Sequence, residues 1–165
     1  MKKVIFVSFL LFMSLGTIFA QLPISRGDFF VNARSTRFDL SFSDELTTFD
    51  IGANGGFFVI DNLAIMGGLS FTTISIGNGS ITSLGLNFGA RYYFAQNAKG
   101  SFFTDGLWSI QKVENADASL GFTLDGGYAF FLKDNISIEP MTSLFLPFSN
   151  GDVTFSLGAG ISIYF

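Results

Sequence analysis

The chain contains no cysteine and no histidine. The first absence excludes a disulfide scaffold and a thiolate metal site. The second removes Ser-His-Asp and Cys-His catalysis together with the usual imidazole metal ligands. Stability therefore has to come from packing and backbone hydrogen bonds. Basic residues are scarce too, nine Lys and Arg against thirteen Asp and Glu, a balance that argues against a nucleic-acid partner. Long apolar runs are also missing. With 48% hydrophobic residues, membrane helices would be the first expectation, yet one apolar run exists, at residues 4–19, and it is at the short limit for a span. Elsewhere glycines, polar and charged residues interrupt every apolar stretch. The acidic residues fall in no catalytic motif, and Gly77, Asn78 and Gly79 lack the lysine and following helix of a phosphate loop. No enzyme, cofactor or metal is expected.

What is present starts with Met1, Lys2 and Lys3, continues through the apolar run Val4 to Phe19, and closes at Ala20 before Gln21. A charged zone, an apolar zone and a small residue in that order predict an export signal over residues 1–20 that is cleaved from a mature domain of residues 21–165. A retained membrane anchor is the alternative. Loss of Lys2 and Lys3 leaves seven basic against thirteen acidic side chains. The length fits one domain.

The mature region alternates. Val153, Phe155, Leu157, Ala159, Ile161, Ile163 and Phe165 are apolar, while Thr154, Ser156, Gly158, Gly160 and Ser162 between them are small or polar. Leu120, Phe122 and Leu124 against Ser119, Gly121, Thr123 and Asp125 repeat the pattern, as do Leu84, Leu86 and Phe88 against Gly85, Asn87 and Gly89. Period two is the signature of a strand with one apolar face. The pattern predicts strands at 27–37, 47–59, 63–76, 80–94, 101–111, 118–132, 136–148 and 153–165. Turns are expected at 60–62, 95–100 and 133–135, with loops at 38–46, 77–79, 112–117 and 149–152. Most of these strands exceed the about 9–11 residues needed to cross a bilayer at a tilt. An internal repeat supports the reading: residues 57–65 (FFVIDNLAI) match residues 130–138 (FFLKDNISI), each a hairpin around Asp-Asn. Aromatics gather where the even-numbered strands end, at Phe57 and Phe58, Tyr92 to Phe94, Phe130 and Phe131, and Tyr164 and Phe165. An interfacial girdle requires this; the alternative is core packing in a soluble sandwich.

Strand-forming backbone can enter lipid only as a closed barrel. The expected fold is therefore all-β: an eight-stranded antiparallel up-and-down transmembrane β-barrel behind a cleaved signal peptide, with small and polar residues inside and bulky apolar residues toward lipid. A soluble lipid-binding barrel would need the opposite arrangement. The signal peptide, the alternating strands, the strand ends Gly56 to Val59 and Gly127 to Phe130, and the terminal Phe165 resemble the small outer-membrane β-barrels of the OmpA/OmpX type found in Gram-negative bacteria. The resemblance covers residues 21–165 and implies location in the outer membrane, contact with its lipid, and a monomer. It also implies that Ile161, Ile163, Tyr164 and Phe165 form the terminal signal read by the barrel assembly machinery.

Alternation also points Arg34, Asp50, Arg91, Asp105, Asp125 and Glu139 inward. Arg91, Asp105 and Glu139 lie near the aromatic ends and Arg34, Asp50 and Asp125 midway, so two layers of mixed charge are expected. Adjacent strands allow Arg34 to reach Asp50 and Arg91 to reach Asp105. The interior charges form either a plug or an ion path. Three functions are compatible with this chain: a structural or surface-interaction barrel, which is favoured, a narrow pore or small-solute transporter, and a soluble lipid carrier. The predicted loops are short and mildly acidic, with Asp39, Asp44 and Glu45 in the first and Glu114 and Asp117 in the third. They carry no recognisable ligand motif.

Mass spectrometry of protein isolated from membranes should give Gln21 as the amino terminus; an intact Met1 or Lys2 end in the mature pool would support the anchor instead.

Overall fold

Alternating large apolar and small polar residues decide which side of the pleat each side chain takes, and eight such stretches form the strands of the computed structural model. It describes residues 24–35, 46–76, 79–114, 118–148 and 152–165. The strands are β1 (Phe29–Ser35), β2 (Leu46–Ile60), β3 (Leu63–Ile76), β4 (Gly79–Asn97), β5 (Gly100–Val113), β6 (Ala118–Lys133), β7 (Ile136–Pro147) and β8 (Thr154–Tyr164). Each pairs antiparallel with its sequence neighbours, and β1 pairs with β8, so the sheet closes into a barrel. The closing seam runs from Phe30 opposite Tyr164 to Ser35 opposite Ala159. Phe29 and Phe165 extend it by exchanging two backbone hydrogen bonds, 3.1 and 2.8 Å, and by stacking their rings 4.8 Å apart. The terminal residue is thus part of the closure. The predicted signal segment, residues 36 and 37 of the predicted first strand, and Asp39, Asp44, Glu45 and Asp117 lie outside the described residues.

The aromatic-rich ends of the strands share one rim with the short connections. There the internal repeat becomes a shared irregularity. The β2–β3 register shifts between Phe58 and Ile60, and the β6–β7 register shifts between Phe131 and Lys133. Val59 and Leu132 are therefore equivalent bulges that tighten each hairpin. The turns themselves differ: Asn62 has a φ of 68°, whereas Asn135 is not among the positive-φ residues. The third turn differs from expectation. Residues 95–100 are not all turn, because β4 continues to Asn97 and the ladder resumes with Asn97 opposite Gly100. A bulge between Phe94 and Asn97, with Ala95 at φ 50°, absorbs the misfit and leaves two residues in the turn. Pro140 sits inside β7, where the β6–β7 ladder passes from Gly127 opposite Met141 to Phe130 opposite Ile138 without intervening pairs. Proline has no N–H to donate there.

Burial is inverted relative to a water-soluble domain. Among the described residues, 28 large apolar side chains are exposed, including Leu69 at 61% and Phe155 at 65%, whereas thirteen polar or charged residues are buried against eleven apolar ones. Such an outer surface far exceeds the isolated apolar patches that water tolerates. Charged side chains on described residues either point inward or lie at strand ends and turns.

A sheet with no free edge must break its whole ladder at once to unfold. In unheated dodecyl sulfate the folded barrel should therefore run as a compact form distinct from the boiled one. Deleting Phe165 should lower the compact fraction, since it removes the last backbone pair of the seam. A single mobility for the full chain under both conditions would contradict closure.

Candidate functional site: the barrel interior

The strands carry their inward residues to the axis in three zones. At the turn end the inward positions are not small. Phe30, Phe58, Tyr93, Phe103 and Tyr164 are buried side by side, with ring centroids of neighbouring pairs 5.8 to 6.0 Å apart. The aromatics expected as one girdle divide by strand parity. Phe29, Phe57, Phe102, Phe130 and Phe165 face outward, while Phe58, Tyr93 and Tyr164 fill the lumen. Space for the inner rings comes from glycine: a Cβ on Gly56 would lie 2.3 Å from the Phe30 ring, and one on Gly127 would lie 2.6 Å from the Phe103 ring. Ahead of β1, Ile24 packs beneath these rings. Hydrogen bonds from Gly27 N–H to the Phe58 carbonyl, from Asn62 N–H to the Ile24 carbonyl, and from Arg26 N–H to Asp61 Oδ1 hold that segment across the rim.

Directly above the rings, five buried charges form an alternating chain. Glu139 Oε2 accepts from Arg91 Nη1 at 2.7 Å, and Arg91 Nε and Nη2 donate to the two oxygens of Asp105 at 2.7 and 2.8 Å. Asp105 Oδ2 lies 3.7 Å from Arg34 Nη1, which donates to Asp125 Oδ2 at 2.6 Å. β7, β4, β5, β1 and β6 are tied in turn. The guanidinium of Arg91 also lies over the Phe103 ring, 4.0 Å from its centroid, with Phe30 and Tyr93 at 5.2 and 5.8 Å. Paired charge and aromatic faces together offset the desolvation of a fully buried arginine. Glu139 is supported further: Ser137, Ser162 and Tyr164 hydroxyls donate to Oε1 at 2.8, 2.6 and 2.9 Å, and Asn32 Nδ2 donates to Oε2 at 3.3 Å.

The sequence-expected residues are therefore placed as follows. All six interior charges are on the lumen side, with Asp50 on the wall of the cavity described below. Arg91 meets Asp105 as expected from neighbouring strands. The expected Arg34–Asp50 pair is replaced. Arg34 lies opposite Gly52 on β2, and its ion pairs are with Asp125 and Asp105, while Asp50 accepts a hydrogen bond from Thr72 at 2.6 Å. Gly52 and Gly160, its partners on the two adjacent strands, carry no side chain to hold the guanidinium at the wall, so it extends over the lumen toward the carboxylates of β5 and β6. The two expected layers consequently join into one chain. Of the proposed terminal signal, Ile161, Ile163 and Phe165 face outward, whereas Tyr164 is buried beside Glu139.

The third zone, toward the loop end, is a polar cavity of about 320 Å³ bounded below by Arg34 and lined by hydroxyl and amide side chains such as Asn87, Ser109 and Thr123. Ser109 and Thr123 share a hydrogen bond of 2.8 Å.

No family model matches the chain, and no curated protein matches it. Solved structures do. The N-terminal β-barrel domain of Pseudomonas aeruginosa OprF superposes with a TM-score of 0.63 at 11% identity, over 85% of this chain and 98% of that one. Neisserial surface protein A gives 0.61 at 13% identity, over 85% and 100%. Yersinia pestis outer membrane protein Ail in a phospholipid nanodisc gives 0.56 at 10% identity, over 85% and 100%. At these identities the likeness is one of fold: this chain has the architecture of the small outer-membrane barrels.

Arg91→Ala removes both ion pairs and leaves the buried Asp105 and Glu139 without their shared guanidinium. It should lower unfolding stability in detergent or lipid by about 3 to 5 kcal/mol. Leu86→Ile, on the exposed outer face, should shift it far less, and equal shifts for the two variants would show that the buried chain contributes no stability.

Proposed function

We propose that the protein is an integral monomeric barrel of a Gram-negative outer membrane, with a structural or surface-presenting role and no catalysis. The carrying observation is the joint placement of exposed apolar side chains such as Leu69, Leu86 and Phe155 outside and a closed aromatic and ionic plug inside. An outer surface of this kind needs lipid as its solvent, and the fold likeness to outer-membrane barrels supports the same location. The outward rings suit an interface. Tyr92, Phe94, Phe102, Tyr128 and Phe130 form a connected series of ring contacts at the turn end, and Trp108 meets Phe122 and Phe148 nearer the loop end. Aromatic side chains favour the boundary between headgroups and hydrocarbon.

The plug supports a scaffold rather than a passage. Arg91, Asp105 and Glu139 are fully buried, and the rings of Phe30, Phe58 and Phe103 lie below them. Surface-presenting functions then fall to the loops between the strand ends, on a rigid wall. The exposed face of Ile161, Ile163 and Phe165 suits recognition by the assembly machinery during insertion. A soluble lipid carrier is disfavoured because thirteen buried residues are polar or charged.

A narrow pore is the second reading, favoured by the cavity that reaches Arg34 from the loop end. Conduction through it would require the Arg91 contacts to open. Planar-bilayer recording separates the two: the scaffold reading expects no steady current from the wild type. Steady wild-type conductance whose ion selectivity changes in Arg91→Ala would establish the pore and overturn the scaffold.

A further inference from the structure

The plug and the cavity above it use their polar groups differently. In the plug, hydroxyls and carboxylates are spent on one another, as around Glu139. In the cavity many are not. Ser70, Ser83, Gln111, Ser119 and Ser156 line it, and none of them hydrogen-bonds another described residue through its side chain. Unlike the unpartnered amide of Asn54, their polar atoms are not sealed from solvent, so they are open to whatever fills the cavity.

Strand register explains the open space. Gly52, Ser70, Gly85, Gln111 and Ser119 stand opposite one another on β2 to β6, so four of the five side chains in this row are small or absent. Gln111 is the long member, and its amide can donate and accept at once. At about 320 Å³ the cavity is at the small end of ligand-binding pockets, which run from about 300 to 1,000 Å³. Its size suits one small ring. Nearer the mouth, the Phe145 ring is seated against Gly121, where a Cβ would lie 2.5 Å from it, and lines the cavity beside Ile81 and Val113.

The wall carries charge of both signs. Arg34 bounds the cavity below, with its Nη1 paired to Asp125 and Asp105. Asp50 on the wall accepts from Thr72, and Asp152 lies at the exposed rim. A cation would meet the guanidinium and an anion the carboxylates, so neither sign of net charge is favoured. What remains is hydrogen bonding: a donor-only guanidinium, acceptor-only carboxylates, and hydroxyls and an amide that do both. A neutral ligand with several hydroxyls answers all three. We propose that the cavity is a binding site for one monosaccharide-sized neutral polyol, its hydroxyls against Gln111, Ser83, Ser119 and Arg34 and its C–H face against Phe145. The site lies above Arg34, so it stands whether or not the plug conducts.

Isothermal titration of the folded barrel in phosphatidylcholine nanodiscs, which bring no sugar headgroup, tests the proposal with D-glucose as the probe. Sodium acetate, ethylammonium chloride and glycine are the anionic, cationic and zwitterionic arms. Saturable binding of glucose and of none of these is expected. Gln111→Ala should weaken it by about fivefold and Ser119→Ala by about threefold, the effect of losing one or two neutral hydrogen bonds. Leu84→Ile, on the exposed outer face, should leave it unchanged. Heat-modifiable migration in gels identifies folded variants, and Ser119→Ala decides should Gln111→Ala not fold. Absence of saturable glucose binding would mean that the cavity holds water alone, binding of a charged or zwitterionic arm in its place would give the cavity another ligand class, and unaltered affinity in the folded variants would put glucose elsewhere. Each result would overturn the assignment.

Discussion

Every feature of this molecule depends on the backbone hydrogen bonds that join β1 to β8. An eight-stranded sheet with two free edges would expose rows of N–H and C=O groups that hydrocarbon cannot satisfy, each at a cost of several kcal/mol. Closure removes those rows. It also fixes an inside and an outside, and from that moment the parity of a residue along its strand decides whether it meets lipid or the lumen. The seam is completed at the rim by Phe29 and Phe165, joined through both backbone and ring contacts. The aromatic terminus therefore has a structural task that is separate from any recognition it undergoes during assembly.

A closed barrel of eight strands leaves a narrow lumen that side chains must fill. The filling here is ordered by polarity along the axis. Rings close the turn end, the alternating chain from Glu139 to Asp125 crosses the middle, and hydroxyls and amides surround a cavity toward the loops. Arg91 is the hinge between the first two zones, because the same guanidinium binds two carboxylates and lies over the Phe103 ring. Breaking that arrangement strands two carboxylates in a protein interior, which is the physical reason a plug of this kind is resistant to opening.

The architecture was legible in the sequence because period-two alternation is a direct projection of the closed sheet. Residues 63–76 form β3 as expected, and most other strand ends fall within a few residues of expectation. The departures have local causes. β4 ran past its expected end because a bulge at Ala95 is invisible to a pattern that counts alternation. The pairing of Arg34 is not legible from neighbouring strands, because a long side chain flanked by Gly52 and Gly160 is free to reach across the lumen. Inward aromatics were within reach of the same reading. Phe30 shares parity with Arg34, Tyr93 with Arg91, Phe103 with Asp105 and Tyr164 with Ser162. Strand ends alone do not separate the girdle from the plug; parity does. The supporting contacts of Glu139 from Asn32, Ser137 and Ser162 were beyond the pattern, since small polar residues occupy every inward row.

Amide hydrogen–deuterium exchange of the barrel in lipid nanodiscs measures the closure on which the account rests. The ladder from Phe30 opposite Tyr164 to Ser35 opposite Ala159 should be as protected as the β3–β4 ladder at the same depth. Rapid exchange along the facing edges of β1 and β8, with the other ladders still protected, would mean that the sheet is open and would contradict the account.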